Sequence, residues 1–509
     1  MRKNWIEVFE ETAKANYEKK AVIHNGDSIT FGELNERARY VAKLIKEKVR
    51  VTKKPVVVLL PKSIGVVVSD LAVVYCNLIY SNLDYKTPKE RLNSIVNNLS
   101  PVCIISDSKG ISKVYIPEGM EIFLIDKIDW ESDDFKSNFE LDKPLQIDTD
   151  PFCIINTSGS TGVPKSVVLN HRSFFDFYDW STETFSFSND EIIGSLSPVV
   201  FDIFEYELTL MMARGATIVL LDNSLAAFPA KLLTVLKESN VSFIFWVPTI
   251  MVNIANMELL DKIDIPSLKT IWFAGEVFPT HQFNYWRRHF KNSVFANLYG
   301  PIEITLDCIY YILDDVIEDL SPLPIGIPCN NTGILMLNAD NELCKEDEEG
   351  EICVRGTSLA MGYYNNPQKT SEAFVQNPLN KAYPELIYRT GDIGVLSSKD
   401  GLIHFKGRRD SLVKHMGYRI ELGEIEHILV NKMEAVKNCC VVYNYEKKEI
   451  VLFYEKEKLN ETEIRVELTK AVPKYMVPTD WREMEELPRN TNGKIDRLAL
   501  SKMVNTKEE

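Results

Sequence analysis

Thr157–Lys165 reads TSGSTGVPK and lies between two short apolar runs, Phe152–Ile155 and Val167–Leu169. Apolar runs of that length bounded by turn residues are buried strands, so the stretch is a loop between strands. Gly159 and Gly162 let the backbone come close to a ligand, while Thr157, Ser158, Ser160 and Thr161 supply hydroxyls. Lys165 adds a cation that no neighbouring acid offsets. Such a loop suits a polyphosphate, although an ordinary Ser/Gly surface turn has the same composition. It is not the Walker pattern, in which Lys-Ser/Thr follows a second glycine at a fixed offset.

A chain of 509 residues implies more than one domain and a large core. Hydrophobic content of 45% and charged content of 26% are those of an ordinary globular protein. The net charge of −15 argues against nucleic acid or an anionic membrane as the main partner. Nine cysteines without a CxxC pair read as reduced, buried thiols in a cytoplasmic protein. The N-terminal stretch MRKNWIEVFEETAKANYEKK is charged throughout and has no signal-peptide core. The longest apolar stretch, Ile64–Ser81, is interrupted by Asp70 and Asn77 and reads as a buried helix, not a membrane span.

Along the chain, helical and strand patterns alternate, which predicts an α/β architecture. Leu34, Ala38, Val41, Ala42 and Ile45 fall at helical spacing behind Thr30 and Glu33, a capping-box pair. Strands are predicted at Val56–Leu60 and Val102–Ser106. His171 either touches a nucleotide or caps and packs the helix HRSFFDFYDW. Pro198–Asp202 (PVVFD) reads as the end of a strand, which puts Asp202 at a strand–helix junction, where an isolated Asp is usually an N-cap.

Further stretches follow in order: NLYGPIE at Asn297–Glu303, YRTGD at Tyr388–Asp392, GRRD at Gly407–Asp410, GYRIELGEIE at Gly417–Glu426 and NGKIDR at Asn492–Arg497. With TSGSTGVPK, they run in register across nearly the whole chain and resemble the adenylate-forming superfamily. The resemblance is specifically to the stand-alone amino-acid adenylation domains of non-ribosomal peptide synthesis. FAGEVFP at Phe273–Pro279 is similar to the D-alanine–carrier protein ligases. The resemblance implies a large N-terminal domain of layered α/β subdomains plus a small β-barrel, residues 1–409. A small mobile C-terminal α/β domain, 410–509, would pivot at Asp410.

The reaction so implied is attack of a carboxylate on the α-phosphate of ATP, giving an acyl-adenylate and pyrophosphate. Two anions must meet, so cations and aligned donors are needed there. By the resemblance, Thr157, Ser158, Gly159, Ser160, Thr161, Gly162 and Lys165 hold the phosphates, and Glu303 binds Mg²⁺. Tyr299, with Asn297 and Gly300 beside it, offers a face for adenine, and Asp392 accepts from the ribose hydroxyls with Arg408 assisting. Lys494, on the mobile domain, is the expected catalytic lysine. Lys414 and Arg419 read as solvated or structural. The adenylate would pass to the phosphopantetheine thiol of a carrier protein, expected in trans.

Asp202 is expected to pair with the α-ammonium of an amino acid. Ile203, Tyr206, Phe245, Trp272, Ala274, Leu298, Leu306 and Asp307 complete the implied pocket. Its three aromatic residues favour a small side chain such as alanine, serine or glycine. Asp307 would accept from a hydroxyl, pair with a basic side chain, or face solvent. Two positions depart from the family: Ser166 in place of glycine, tolerable at negative φ, and Ile302 in place of threonine. An acyl- or aryl-CoA ligase is the rival enzyme. A degenerate ATP-binding, carrier-docking protein is the rival non-enzyme; Lys165, Glu303, Asp392 and Lys494 argue against it.

Overall fold

The computed structural model describes residues 4–137, 139–141, 145–157, 164–318, 322–408, 412–433, 436–456, 461–488 and 495–505, with only the backbone of Arg408, His427, Asn431, Lys432, Lys437 and Lys456. Among these residues, sheets of nine, seven and five strands build the large N-terminal part. The nine-stranded sheet is centred on parallel strands Ile192–Ser195, Thr217–Leu220, Phe243–Trp246, Thr270–Ala274 and Val294–Tyr299. Runs such as FIFW and TIWFA are buried throughout, as strands covered on both faces must be. In the seven-stranded sheet, parallel strands Pro55–Leu59, Ile79–Asn82 and Cys103–Ser106 adjoin the antiparallel pair Pro151–Thr157 and Lys165–Asn170. The strands flanking the glycine-rich loop are therefore where the sequence places them. The loop residues Ser158 to Val163 themselves lie outside the described residues.

Local signals mostly hold. Thr30 and Glu33 form the expected capping box on the helix Phe31–Lys48. In the Ile64–Ser81 stretch the buried helix, expected over Ile64–Ile79, forms but is shorter: it stops at Tyr75, Asn77 turns with φ of 55°, and Ile79–Asn82 continues as a strand. An unbroken apolar run carries no period that separates buried helix from buried strand. Nor is PVVFD a strand end. The strand stops at Ser195, and Pro198–Phe201 lead directly into the helix Asp202–Arg214, with Phe201 as N-cap.

The expected small barrel is an antiparallel five-stranded sheet made by Thr332–Leu337, Glu349–Gly356, Phe374–Gln376, Leu386–Leu396 and Ile403–Arg408. Register shifts at Glu351/Cys353 and Ile393/Gly394 bend it, as bulges do. Beyond it comes a hairpin, Leu412–His415 with Tyr418–Glu421. Then follow the strands Val436–Asn444, Glu449–Lys456 and Asp480–Met484, packed with the helices Glu461–Ala471 and Arg497–Asn505. This C-terminal α/β unit has its own core, including Ile420, Leu429, Val441, Leu452 and Leu468. Asp410, the expected pivot, lies outside the described residues. Among the described residues, no helix is long and apolar enough to cross a membrane.

Candidate active site

Strands Phe243–Trp246, Thr270–Ala274 and Val294–Tyr299 run parallel and end at one edge of the large sheet. In open α/β sheets that edge is where ligands bind. Here it forms a cavity of about 170 Å³, lined by Ala274 from the sheet, Gly300, Leu306 and Asp307 from the turn that follows its strand Val294–Tyr299, Asp202 and Ile203 from the helix, and Thr157 from the second sheet. The opposite wall is the C-terminal hairpin, with Lys414, Gly417, Tyr418 and Arg419. The volume is below the ~300–1,000 Å³ of ordinary ligand pockets because the hairpin reaches into the mouth.

Asp202 is the first residue of its helix, and its Oδ1 accepts from the Ile203 amide at 3.0 Å. Burial raises its carboxyl to about 6, with Lys414 and backbone donors opposing the rise. Asp307, on the facing wall, is buried. Its carboxyl is pushed well up by burial and then by Asp202, and pulled back by Lys414. Solvent exposure, one of the three roles open for Asp307, is thereby excluded. Asp307 follows two left-handed residues, Thr305 at φ of 59° and Leu306 at 68°. Neither is glycine, so this turn between Glu303 and Asp307 is strained.

Below the cavity lies an aromatic floor. Tyr206 stacks on Trp272 with centroids 5.4 Å apart, and Phe245 meets the same indole edge-on at 5.5 Å. All three are fully buried, as is Leu298, so they bound the pocket from beneath and do not line it. The Tyr206 hydroxyl donates to Ser181 Oγ at 2.9 Å, which fixes the ring.

Glu303 is fully buried on the short turn Ile302–Ile304. Its Oε1 accepts from the Tyr363 hydroxyl at 2.8 Å and its Oε2 from Arg419 Nη1 at 2.5 Å. Burial alone would raise this carboxyl, yet Arg419 and Tyr363 bring it below its ordinary value, so it is ionised at neutral pH. Lys165 Nζ stands 3.5 Å from Glu421 and faces the Tyr363 ring. Tyr299 is buried, and its hydroxyl donates to Asp392. Asp392 pairs across the sheet with Arg408. Asn297 donates to the Pro324 carbonyl at 2.7 Å, holding the strand end that carries Tyr299 and Gly300. Lys494 lies outside the described residues. Ser166 is accommodated at negative φ: it donates to Asn156 Oδ1 at 2.7 Å and accepts from Asn98 at 3.0 Å. Ile302 lines the cavity.

Three cations near the site have roles that the sequence leaves open or does not signal. Of the solvated and structural roles open for them, Arg419 takes the structural one, its side chain 15% exposed and paired with Glu303, and both Lys414 and Arg419 line the cavity. Their alternation in the hairpin was legible, but not the docking that turns their face inward. Lys62 Nζ donates to the Ser195 and Ser197 carbonyls at 2.6 and 2.7 Å, tying down the segment that leads to Asp202. Burial lowers its ammonium to about 7 against the pull of Glu207. His171 packs: it is fully buried, and its Nδ1 accepts from the Trp5 amide at 3.3 Å.

A crevice at the carboxyl ends of a parallel sheet, a glycine-rich loop between strands and a docked C-terminal hairpin define an enzyme of the adenylate-forming class. The chain belongs to the AMP-binding enzyme family, whose model matches residues 9–364. It is 30% identical to zwittermicin A synthase ZmaJ of Bacillus cereus, over 97% of this chain and 94% of that protein. It is 28% identical to gramicidin S synthase 2 of Brevibacillus brevis, again over 97% of this chain but spanning only 11% of that relative. Among solved structures, the fold resembles the Vibrio cholerae adenylation domain AlmE in complex with glycyl-adenosine-5'-phosphate, with TM-score 0.84, 21% identity and coverage of 99% and 98% of the two chains. It also resembles NpsA-ThdA, an artificially fused adenylation-PCP di-domain from Klebsiella oxytoca, with TM-score 0.82, 20% identity and coverage of 94% and 93%.

Proposed function

We propose that this ligase activates a small α-amino acid. The substrate carboxylate attacks the α-phosphorus of ATP, pyrophosphate leaves, and an aminoacyl-adenylate forms. The thiol of a phosphopantetheine arm, on a carrier protein in trans, then attacks the acyl carbon; AMP leaves and the thiol proton is lost. The observation that carries this reading is Asp202, a half-buried carboxylate at a helix start on the wall of the cavity. A partly dry carboxylate facing an ammonium is worth more than the same pair in water. The cavity of about 170 Å³ above an aromatic floor favours a small side chain. The fused adenylation-PCP neighbour supports a carrier partner.

In this proposal the core is 1–409, the mobile domain 410–509 and the hinge Asp410. Lys494 meets the carboxylate and α-phosphate, the Thr157–Lys165 loop holds the phosphates, and Tyr299, Asp392 and Arg408 hold adenosine. Glu303, an ionised hard-oxygen donor, fits Mg²⁺, which when bound would offset phosphate charge. Arg419 shares that carboxylate and would have to withdraw from it. A cytoplasmic location accords with nine unpaired cysteines.

Amino-acid-dependent pyrophosphate exchange across a full panel, with deaminated analogues alongside, tests the reading. Exchange with one small amino acid and not its analogue is expected. Exchange with deaminated acids alone would move the protein to the acyl- or aryl-CoA ligases.

A further inference from the structure

Lys414 and Arg419 are direct partners across the two-stranded hairpin, so their side chains leave the same face. Three contacts fix that face against the core. Arg419 is paired with buried Glu303. The Gly417 amide donates to Glu276 Oε1 at 2.9 Å. Gly417 itself is packed so closely on Val247 that a Cβ there would lie 2.7 Å from Val247 Cγ1. Lys414 is thereby delivered into the cavity that Asp202 and Asp307 also line.

We propose that Lys414 is a specificity-determining residue that leaves the cavity room for one substrate cation, so that the enzyme takes an α-amino acid with an uncharged side chain and rejects diamino acids. This rests on the amino-acid reading above. Of the other charged groups on the cavity wall, Arg91 and Arg419 are paired with Glu424 and Glu303, and Asp84 accepts from the Lys86 amide at 2.8 Å. Lys414 acts on both Asp202 and Asp307, and the substrate α-ammonium meets Asp202. A second ammonium on the side chain enters a cavity that Lys414, a like charge, already lines, and is desolvated there at substantial cost. A hydroxyl in the same place carries no charge to desolvate and finds an acceptor in Asp307.

The test uses the full chain and two non-hydrolysable adenylate analogues, seryl- and 2,3-diaminopropionyl-sulfamoyl adenosine, which differ by a hydroxyl against an ammonium. Dissociation constants come from calorimetry. The unaltered protein is expected to bind the seryl analogue more tightly, by at least ~10-fold. Lys414→Met should shift the ratio toward the diaminopropionyl analogue by ~10-fold or more, and Lys414→Arg should keep the original ratio. Adding Asp307→Asn to Lys414→Met should restore the seryl preference. If Lys414→Met does not fold, Lys414→Gln carries the same comparison. An unchanged ratio with both analogues bound, or a native preference for the diaminopropionyl analogue, overturns this proposal alone. Failure of both analogues to bind, while the deaminated glyceryl analogue binds, overturns the amino-acid reading and this proposal with it.

Discussion

Arg419 and Glu303, 116 positions apart in the chain, form an ion pair in which the carboxylate is fully buried and the guanidinium nearly so. Breaking one member of such a pair strands the other's charge. Arg419→Met is expected to destabilise the protein by up to ~3–5 kcal/mol, less whatever is recovered if the C-terminal unit swings away. Glu303→Gln in the same chain should return part of the loss. A double-mutant cycle in urea measures the pair, and strict additivity would refute the coupling.

Asp202→Asn removes the charge proposed to hold the substrate ammonium, so amino-acid-dependent exchange should fall by ~10²–10³. In the unaltered protein the KM for the amino acid should rise as pH falls through about 6, where the carboxylate takes up its proton. Stability should move the other way. Burial raises this carboxyl from 3.8 to about 6, so the folded chain holds the proton more tightly than the unfolded one, and stability falls as pH rises through that window. At pH 7 Asp202→Asn is therefore expected to be more stable, on the order of 1–3 kcal/mol. A variant both inactive and less stable would contradict the electrostatic account.

Burial lowers His171 to about 3, so it is neutral at physiological pH and serves the Trp5 amide. His171→Leu should cost ~1–3 kcal/mol through the stranded amide. The KM for ATP should stay put; a raised KM with unchanged melting would return His171 to the nucleotide site.

Lys494→Ala is expected to lower pyrophosphate exchange by ~10²–10³ while the melting temperature holds. Undiminished exchange would remove Lys494 from the chemistry.

Ile302→Thr puts a hydroxyl on the cavity wall, where the resemblance in sequence leads us to expect one. Faster exchange turnover is the expected result, and turnover no better than that of the unaltered chain would show that the departure is inconsequential.

The sequence was most readable where chemistry is written locally. The capping box at Thr30 and Glu33 needs only spacing. Asp202, Ala274, Gly300 and Asp307 are brought into one cavity because each sits at or just beyond a strand end or helix start. Trp272 was legible as a pocket residue but not as a floor, because depth depends on how Tyr206 and Phe245 pack around it. For a related reason the sequence leaves Lys414 and Arg419 open between a solvated and a structural role. A hairpin's exposed and docked faces have the same alternation, and only the partner surface at Glu303, Glu276 and Val247 distinguishes them.

The hairpin turn consists of two residues, Met416 and Gly417, both left-handed at φ of 52° and 80°. So short a turn fixes strand register, and in a strand a slip of one position exchanges inward and outward side chains. Inserting or deleting one residue there would send Lys414 and Arg419 out to water together. New substrate preferences in this scaffold are therefore reachable by swapping side chains one at a time, whereas loop-length variation at this point disables the pair wholesale.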